Sequence, residues 1–181
     1  DLGKFEVADT ADLPEIDVMV GDASVALLAG AAPYDLNENY LVIDKNNKAQ
    51  FDGKTITGSY CPSTRPESTY TDIKGGITID NVTVDLTIKD VTIKSGGDGA
   101  GGWDLAGIYL KGNAQLNLTL EGKNTLLGLD EGAGIEVEKN ATLVITEQSK
   151  GSLKAVGGAY GAAGIGGKPG TTGYEGADKN Y

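Results

Sequence analysis

Four acidic side chains, Asp98, Asp104, Asp130 and Glu131, stand in glycine-rich segments that carry no regular hydrophobic pattern. Carboxylates among open loop carbonyls offer the oxygen ligands, roughly six to eight, that a calcium ion takes. The same kind of segment holds the aromatic residues: Trp103, the only Trp, in Gly96-Gly-Asp-Gly-Ala-Gly-Gly-Trp-Asp104, together with Tyr60, Tyr70 and Tyr160. Arg65, the single Arg, lies in Cys61-Pro-Ser-Thr-Arg-Pro-Glu67, a loop stiffened by two prolines. Aromatic rings and an Arg on one surface anchor sugar faces and dominate protein interfaces, and Tyr109 is counted with them as a contact residue. Catalysis is the poorer use of these groups. The chain has no His, the commonest acid–base group. A lyase would need calcium and an Arg or Lys base, and a glycoside hydrolase two carboxylates at a defined separation across a cleft. Neighbouring acidic residues of short loops form no such cleft, so the chain is read as a non-enzyme.

Several local patterns dissolve on inspection. Gly161 to Lys168 has the look of a phosphate loop, but Pro169 stands where a magnesium-binding Ser or Thr belongs. Gly96 to Gly102 is glycine-rich without a helix after it. Asp44-Lys-Asn46-Asn47-Lys48 begins like a calcium loop and lacks the terminal acid, so a turn is expected. The outward Thr55, Thr57, Thr78, Thr83, Thr87 and Thr92 are spaced too irregularly for a flat ice-binding array. Cys61 has no His to activate it and reads as an inert loop thiol.

The elements that position these residues follow from a repeat. Ala-Gly-Ile occurs at 106–108, 133–135 and 163–165, and Gly75-Gly76-Ile77 precedes them. From one middle glycine to the next the steps are 31, 27 and 30 residues, a period that belongs to stacked repeats. Residues 106–120 align without a gap on 133–147, pairing Ile108 with Ile135, Leu110 with Val137, Leu116 with Leu143 and Leu118 with Ile145. Apolar residues at every second position, broken at Asn113 and Asn140, predict two short strands per unit. Leu126 in one unit, and Leu153 with Ala155 in the next, predict a third. Three strands and three turns per unit predict an all-β, right-handed parallel β-helix of about four to five coils, each strand stacking on its counterpart at roughly 4.8 Å. Residues 40–181 are assigned to the coils. Residues 1–39, which lack the repeat but hold the strand-like Ile16 to Val20 and Ser24 to Leu28, are assigned to an N-terminal cap. The irregular segments Tyr60 to Lys74, Ser95 to Leu105, Gly128 to Gly132 and Gly157 to Ala162 then stack along one edge and gather the candidate residues there.

Charge narrows the partners. Against 26 acidic residues stand 15 basic ones, a formal charge of −11, which offers no basic face for nucleic acid. No apolar run reaches the length of a spanning helix, so no membrane insertion by this segment is expected. The tail Gly170 to Tyr181 falls where a further strand would be due, which reads as a piece of a longer protein.

The phrase Ala-Gly-Ile-Glu-Val-Glu-Lys-Asn-Ala-Thr-Leu-Val-Ile-Thr, followed by Gly151-Ser-Leu-Lys-Ala-Val-Gly-Gly158 and Ala-Ala-Gly-Ile-Gly-Gly167, resembles the β-helical repeats of large surface proteins of Gram-positive, often gut-dwelling, bacteria. Val84-Asp-Leu-Thr-Ile-Lys-Asp-Val-Thr-Ile-Lys-Ser95 resembles bacterial carbohydrate-binding β-helix proteins related in fold to pectate lyases, some of which bind polygalacturonate with calcium. The resemblance covers residues 75–167, and implies a secreted protein at the bacterial cell surface. The function expected is a non-catalytic adhesin-type module, its edge of variable turns binding a host glycoprotein or immunoglobulin-like protein. The alternatives are calcium-assisted polysaccharide binding, a structural stalk and, last, a polysaccharide lyase.

Overall fold

The computed structural model describes residues 32–61, 75–94, 105–129, 131–159 and 161–167. Two compact units divide the chain, Asp1–Ala32 and Pro33–Tyr181, and all the strands below belong to the second. They are β1 (Tyr34–Asp35), β2 (Leu41–Ile43), β3 (Lys54–Thr57), β4 (Ser59–Tyr60), β5 (Gly75–Asp80), β6 (Thr83–Lys89), β7 (Thr92–Lys94), β8 (Ala106–Lys111), β9 (Gln115–Glu121), β10 (Lys123–Leu127), β11 (Ile135–Val137), β12 (Thr142–Ile145), β13 (Ser152–Val156) and β14 (Ile165–Gly166). Among the described residues the one α-helix is a single turn, α1 (Lys48–Phe51), whose buried Phe51 meets Tyr34 edge to face at 5.3 Å.

The described residues are all-β apart from this turn of helix, in three parallel sheets. The first runs β1-β3-β6-β9-β12, the second β4-β7-β10-β13 and the third β2-β5-β8-β11-β14. From β2 onward the chain visits the third, first and second sheets in turn and repeats that order through β14. The register follows the sequence repeat: Ile108 pairs with Ile135 and Leu110 with Val137, and Leu116 pairs with Leu143 and Leu118 with Ile145. In the second sheet Leu126 lies beside Ala155. Each strand therefore sends one alternate set of side chains to a common interior. Ile77, Ile79, Ile88, Ile93, Ile108, Leu110, Leu116, Leu118 and Leu126 there have no exposed surface. Burying one such side chain contributes about 2 kcal/mol, which is what holds strands of only two to seven residues in place.

The sheets begin earlier than the sequence boundary at residue 40. Tyr34 pairs with Ile56 and Asp35 with Thr57, and Leu36 is fully buried. A capping role for residues 1–31 lies outside the described residues. The segment from Asp44 is a turn leading into α1: Asp44 accepts the amide of Asn46 at 2.8 Å, and Asn47 accepts the amide of Asp44 at 2.9 Å.

Candidate functional site

Of the residues singled out in the sequence, Trp103, Tyr70, Arg65, Tyr160, Asp98, Asp104 and Asp130 lie outside the described residues. Tyr60, Tyr109 and Glu131 lie within them. Tyr60 is not a surface contact. Its register places it in the inward column Tyr60–Ile93–Leu126–Ala155, where it is 6 % exposed and meets Tyr40 edge to face at 6.5 Å. A Tyr at an inward position fills the interior like any large apolar residue.

Tyr109 does point outward, in the third-sheet column Thr78–Tyr109–Glu136, yet all three residues are buried, so its ring is not offered to a surface ligand either. Its hydroxyl donates to Glu138, whose second oxygen accepts the amide of Gly112 at 2.6 Å. Burial, this bond to Glu138 and the nearby charges of Glu138, Glu136 and Asp80 all raise its pKa far above the usual value of 10.0. The folded chain thus holds the Tyr109 proton more tightly than the unfolded chain. That contribution to stability is complete below pH 10 and is lost as pH climbs above it. Tyr109→Phe is expected to cost about 2 kcal/mol at pH 8, the worth of a hydrogen bond to a carboxylate. The deficit shrinks between about pH 9 and 11.5 as the wild type alone weakens. Urea unfolding midpoints across that range check it, and a constant offset would contradict the linkage.

Glu131 is half-buried, between Leu129 and a Gly132 whose amide donates to the Leu129 carbonyl at 2.7 Å. Among the described residues no three acidic, Cys or His side chains converge on a metal position.

Polar chemistry converges instead on the outer face of the first sheet, where alternation puts the side chains between the inward apolar ones. Three columns run across the strands: Thr83–Gln115–Thr142, Asp85–Asn117–Val144 and Thr55–Thr87–Thr119. Thr146 extends the last column, its hydroxyl 2.7 Å from that of Thr119. Asn117 donates its amide to Asp85 at 2.6 Å, and Gln115 donates to Asn117 at 3.4 Å. A trough of about 660 Å³ lies over Asp85, Asn117 and Val144 of the second column and Thr87, Thr119 and Thr146 of the third, bounded by Gly53 at one side and by Glu147 and Gln148 at the other. An adjoining hollow of about 560 Å³ carries it past Thr119 to Lys89, Glu121 and Lys150.

Beside the trough the Lys48 ammonium, which hydrogen-bonds Asp52, and the Asp85 amide, which donates to it at 3.0 Å, hold the Asp52 carboxyl below the usual carboxylate range. Carboxylates on this face disfavour a polyanion. The hydroxyls and amides supply donors and acceptors together, the pairing that a hydroxyl-rich ligand requires.

Sequence reasoning passed over this face because the Thr intervals looked irregular. The turns absorb the differences, and Thr55, Thr87 and Thr119 fall in one column. Asp85, Lys89 and Glu121 beside them are what exclude an uncharged ice-binding lattice. The usable signal was the alternation itself, which already marks these residues as outward. No protein-family model matches the chain, and no curated protein or solved structure matches it.

Proposed function

We infer that the chain is a right-handed parallel β-helix and serves as a non-catalytic binding module of a bacterial surface protein. Its trough takes a neutral polysaccharide laid across the strands of the first sheet. The β-helix reading is supported by the cyclic order in which the chain visits its three parallel sheets, and its hand by the strong right-handed preference of crossovers between parallel strands. One observation carries the ligand: a column of hydroxyls, Thr55–Thr87–Thr119 extended by Thr146, recurs strand after strand in register, with Asp85 and Asn117 beside it. A repeating surface of this kind meets a repeating polymer with the same contacts at each step, and a rigid scaffold loses little entropy in doing so. The acidic character of the face favours a neutral polymer over polyuronate, and calcium has no role in it.

The test is binding of the purified chain to neutral glucans, mannans and galactans, to polygalacturonate, and to host extracellular proteins, with calcium and again with chelator. A neutral polymer is expected to bind in both conditions. The double variant Thr87→Ala, Asn117→Ala is expected to weaken it at least about tenfold, the loss of about 1.4 kcal/mol of hydrogen bonding, with an unfolding midpoint close to that of the wild type. Binding confined to proteins, or a glycan affinity indifferent to the double variant, would move function to the aromatic edge around Trp103.

A further inference from the structure

The outer face of the second sheet is basic in an acidic chain. The column Tyr60–Ile93–Leu126–Ala155 points inward, so the residues between these point out, in the columns Lys123–Ser152, Ser59–Thr92–Thr125–Lys154 and Lys94–Leu127–Val156. No carboxylate stands in those columns. At the corner where the first sheet gives way to the second, Lys89 and Lys150 line the hollow beside Glu121. The acids of that corner are engaged: Glu121 pairs with Lys89 at 3.4 Å, and Asp90 accepts the Lys123 amide at 2.9 Å. Lys94, Lys123, Lys150 and Lys154 are exposed, and among the described residues they belong to no ion pair. A formal charge of −11 led the sequence reading to expect no basic face. Stacking makes one, by bringing lysines far apart in the chain onto adjacent strands. With strands about 4.8 Å apart and residues about 3.3 Å apart along them, the Cα atoms of Lys123 and Lys154 stand about 8 Å apart and those of Lys154 and Lys94 about 12 Å. These spacings are close to the Debye length at physiological salt, about 8 Å, so the fields of the ammonium groups overlap.

We propose that this face binds a sulfated polysaccharide, at a site separate from the hydroxyl trough of the first sheet and independent of the neutral polymer assigned to it. Charge complementarity selects an anion. Protein interfaces centre on aromatic residues and Arg and are depleted of Lys, and the outward columns hold no aromatic residue and no Arg. Single-stranded nucleic acid stacks its bases on aromatic rings, which these columns do not offer. A stiff duplex would run beyond the sheet onto a chain whose overall charge is negative. A sulfated glycan matches what is present: the ammonium groups meet its sulfates as point charges, and the hydroxyls of Thr92, Thr125 and Ser152 between them meet its ring hydroxyls. Sulfates recurring along one thin chain engage several lysines at once, and the counterions released make that binding salt-dependent.

Calorimetric titration of the purified chain with heparin at about 50 and 200 mM salt tests it. Binding is expected at the lower salt and is expected to weaken at least about tenfold at the higher. The double variant Lys123→Gln, Lys154→Gln should weaken it at least about tenfold at the lower salt and flatten the salt dependence. A control pair, Lys45→Gln with Lys139→Gln, makes the same change in net charge at exposed positions off this face and should keep the wild-type affinity. All four side chains are exposed, so the unfolding midpoint should hold in both pairs, and the lysine pair should bind neutral polymer as the wild type does. Absence of heparin binding at the lower salt, equal losses in the two pairs, or desulfated heparin or an oligothymidine bound as tightly as heparin would each overturn the proposal.

Discussion

Gly107→Ala is expected to destabilise the protein by about 3 kcal/mol, read as a lower urea midpoint with an unchanged slope. A Cβ on Gly107 would stand 2.5 Å from the carbonyl oxygen of Gly134 and 2.9 Å from Cβ of Leu126. That carbonyl cannot move aside, because it accepts the Ile108 amide at 3.1 Å. The same arrangement recurs one unit on: a Cβ on Gly134 would stand 2.6 Å from the Gly164 carbonyl, which accepts the Ile135 amide at 2.9 Å. The glycine of Ala-Gly-Ile is thus required by space, where the start of a third-sheet strand presses on both the next unit and the second sheet. Gly53→Ala is the control. Its Cβ would meet nothing within 4 Å, but φ is +73°, so only the conformational cost of about 1 kcal/mol is expected. Equal losses at the two positions would remove the steric account.

Asn124→Ala is expected to cost about 4 kcal/mol. Asn124 is 2 % exposed at an inward position between Val91 and Leu153. Its oxygen accepts the Val91 amide at 3.0 Å, and its nitrogen donates to the carbonyls of Glu121 at 2.9 Å and Ser152 at 3.2 Å. One amide thereby ties its own corner to the units on both sides. Truncation strips the buried Val91 amide of its acceptor and takes a donor from two part-buried carbonyls, each loss being worth about 1–3 kcal/mol, with partial relaxation reducing the sum. Asn124→Leu restores volume and none of these bonds, so it should recover less than half of the loss. A Leu variant as stable as the wild type would show the site to be a packing position.

The sheets were legible because inward packing is a local pattern. Ile108 with Ile135 and Leu116 with Leu143 are matched by type and spacing in the chain, and the interior gives each pair one register, since a slip of one residue would turn the apolar set outward. The polar outer face of the first sheet was half legible. Alternation marks Asp85, Thr87, Asn117 and Thr119 as outward, but their common trough depends on turns that absorb intervals of 32 residues from Thr55 to Thr87 and 27 from Thr119 to Thr146.

Period and composition by themselves determined that this chain makes parallel strands around an aliphatic interior, because that depends only on which side chains alternate, and its formal charge of −11 is read from the sequence alone. Tertiary structure decided the rest. Tyr60 went inward and Tyr109 was covered although it points outward, since exposure is a property of whatever packs on a residue and a strand's own neighbours do not encode it. Asn124 became a tie between units for a related reason: its partners lie 33 residues before it and 28 after, and only stacking brings them within hydrogen-bond reach.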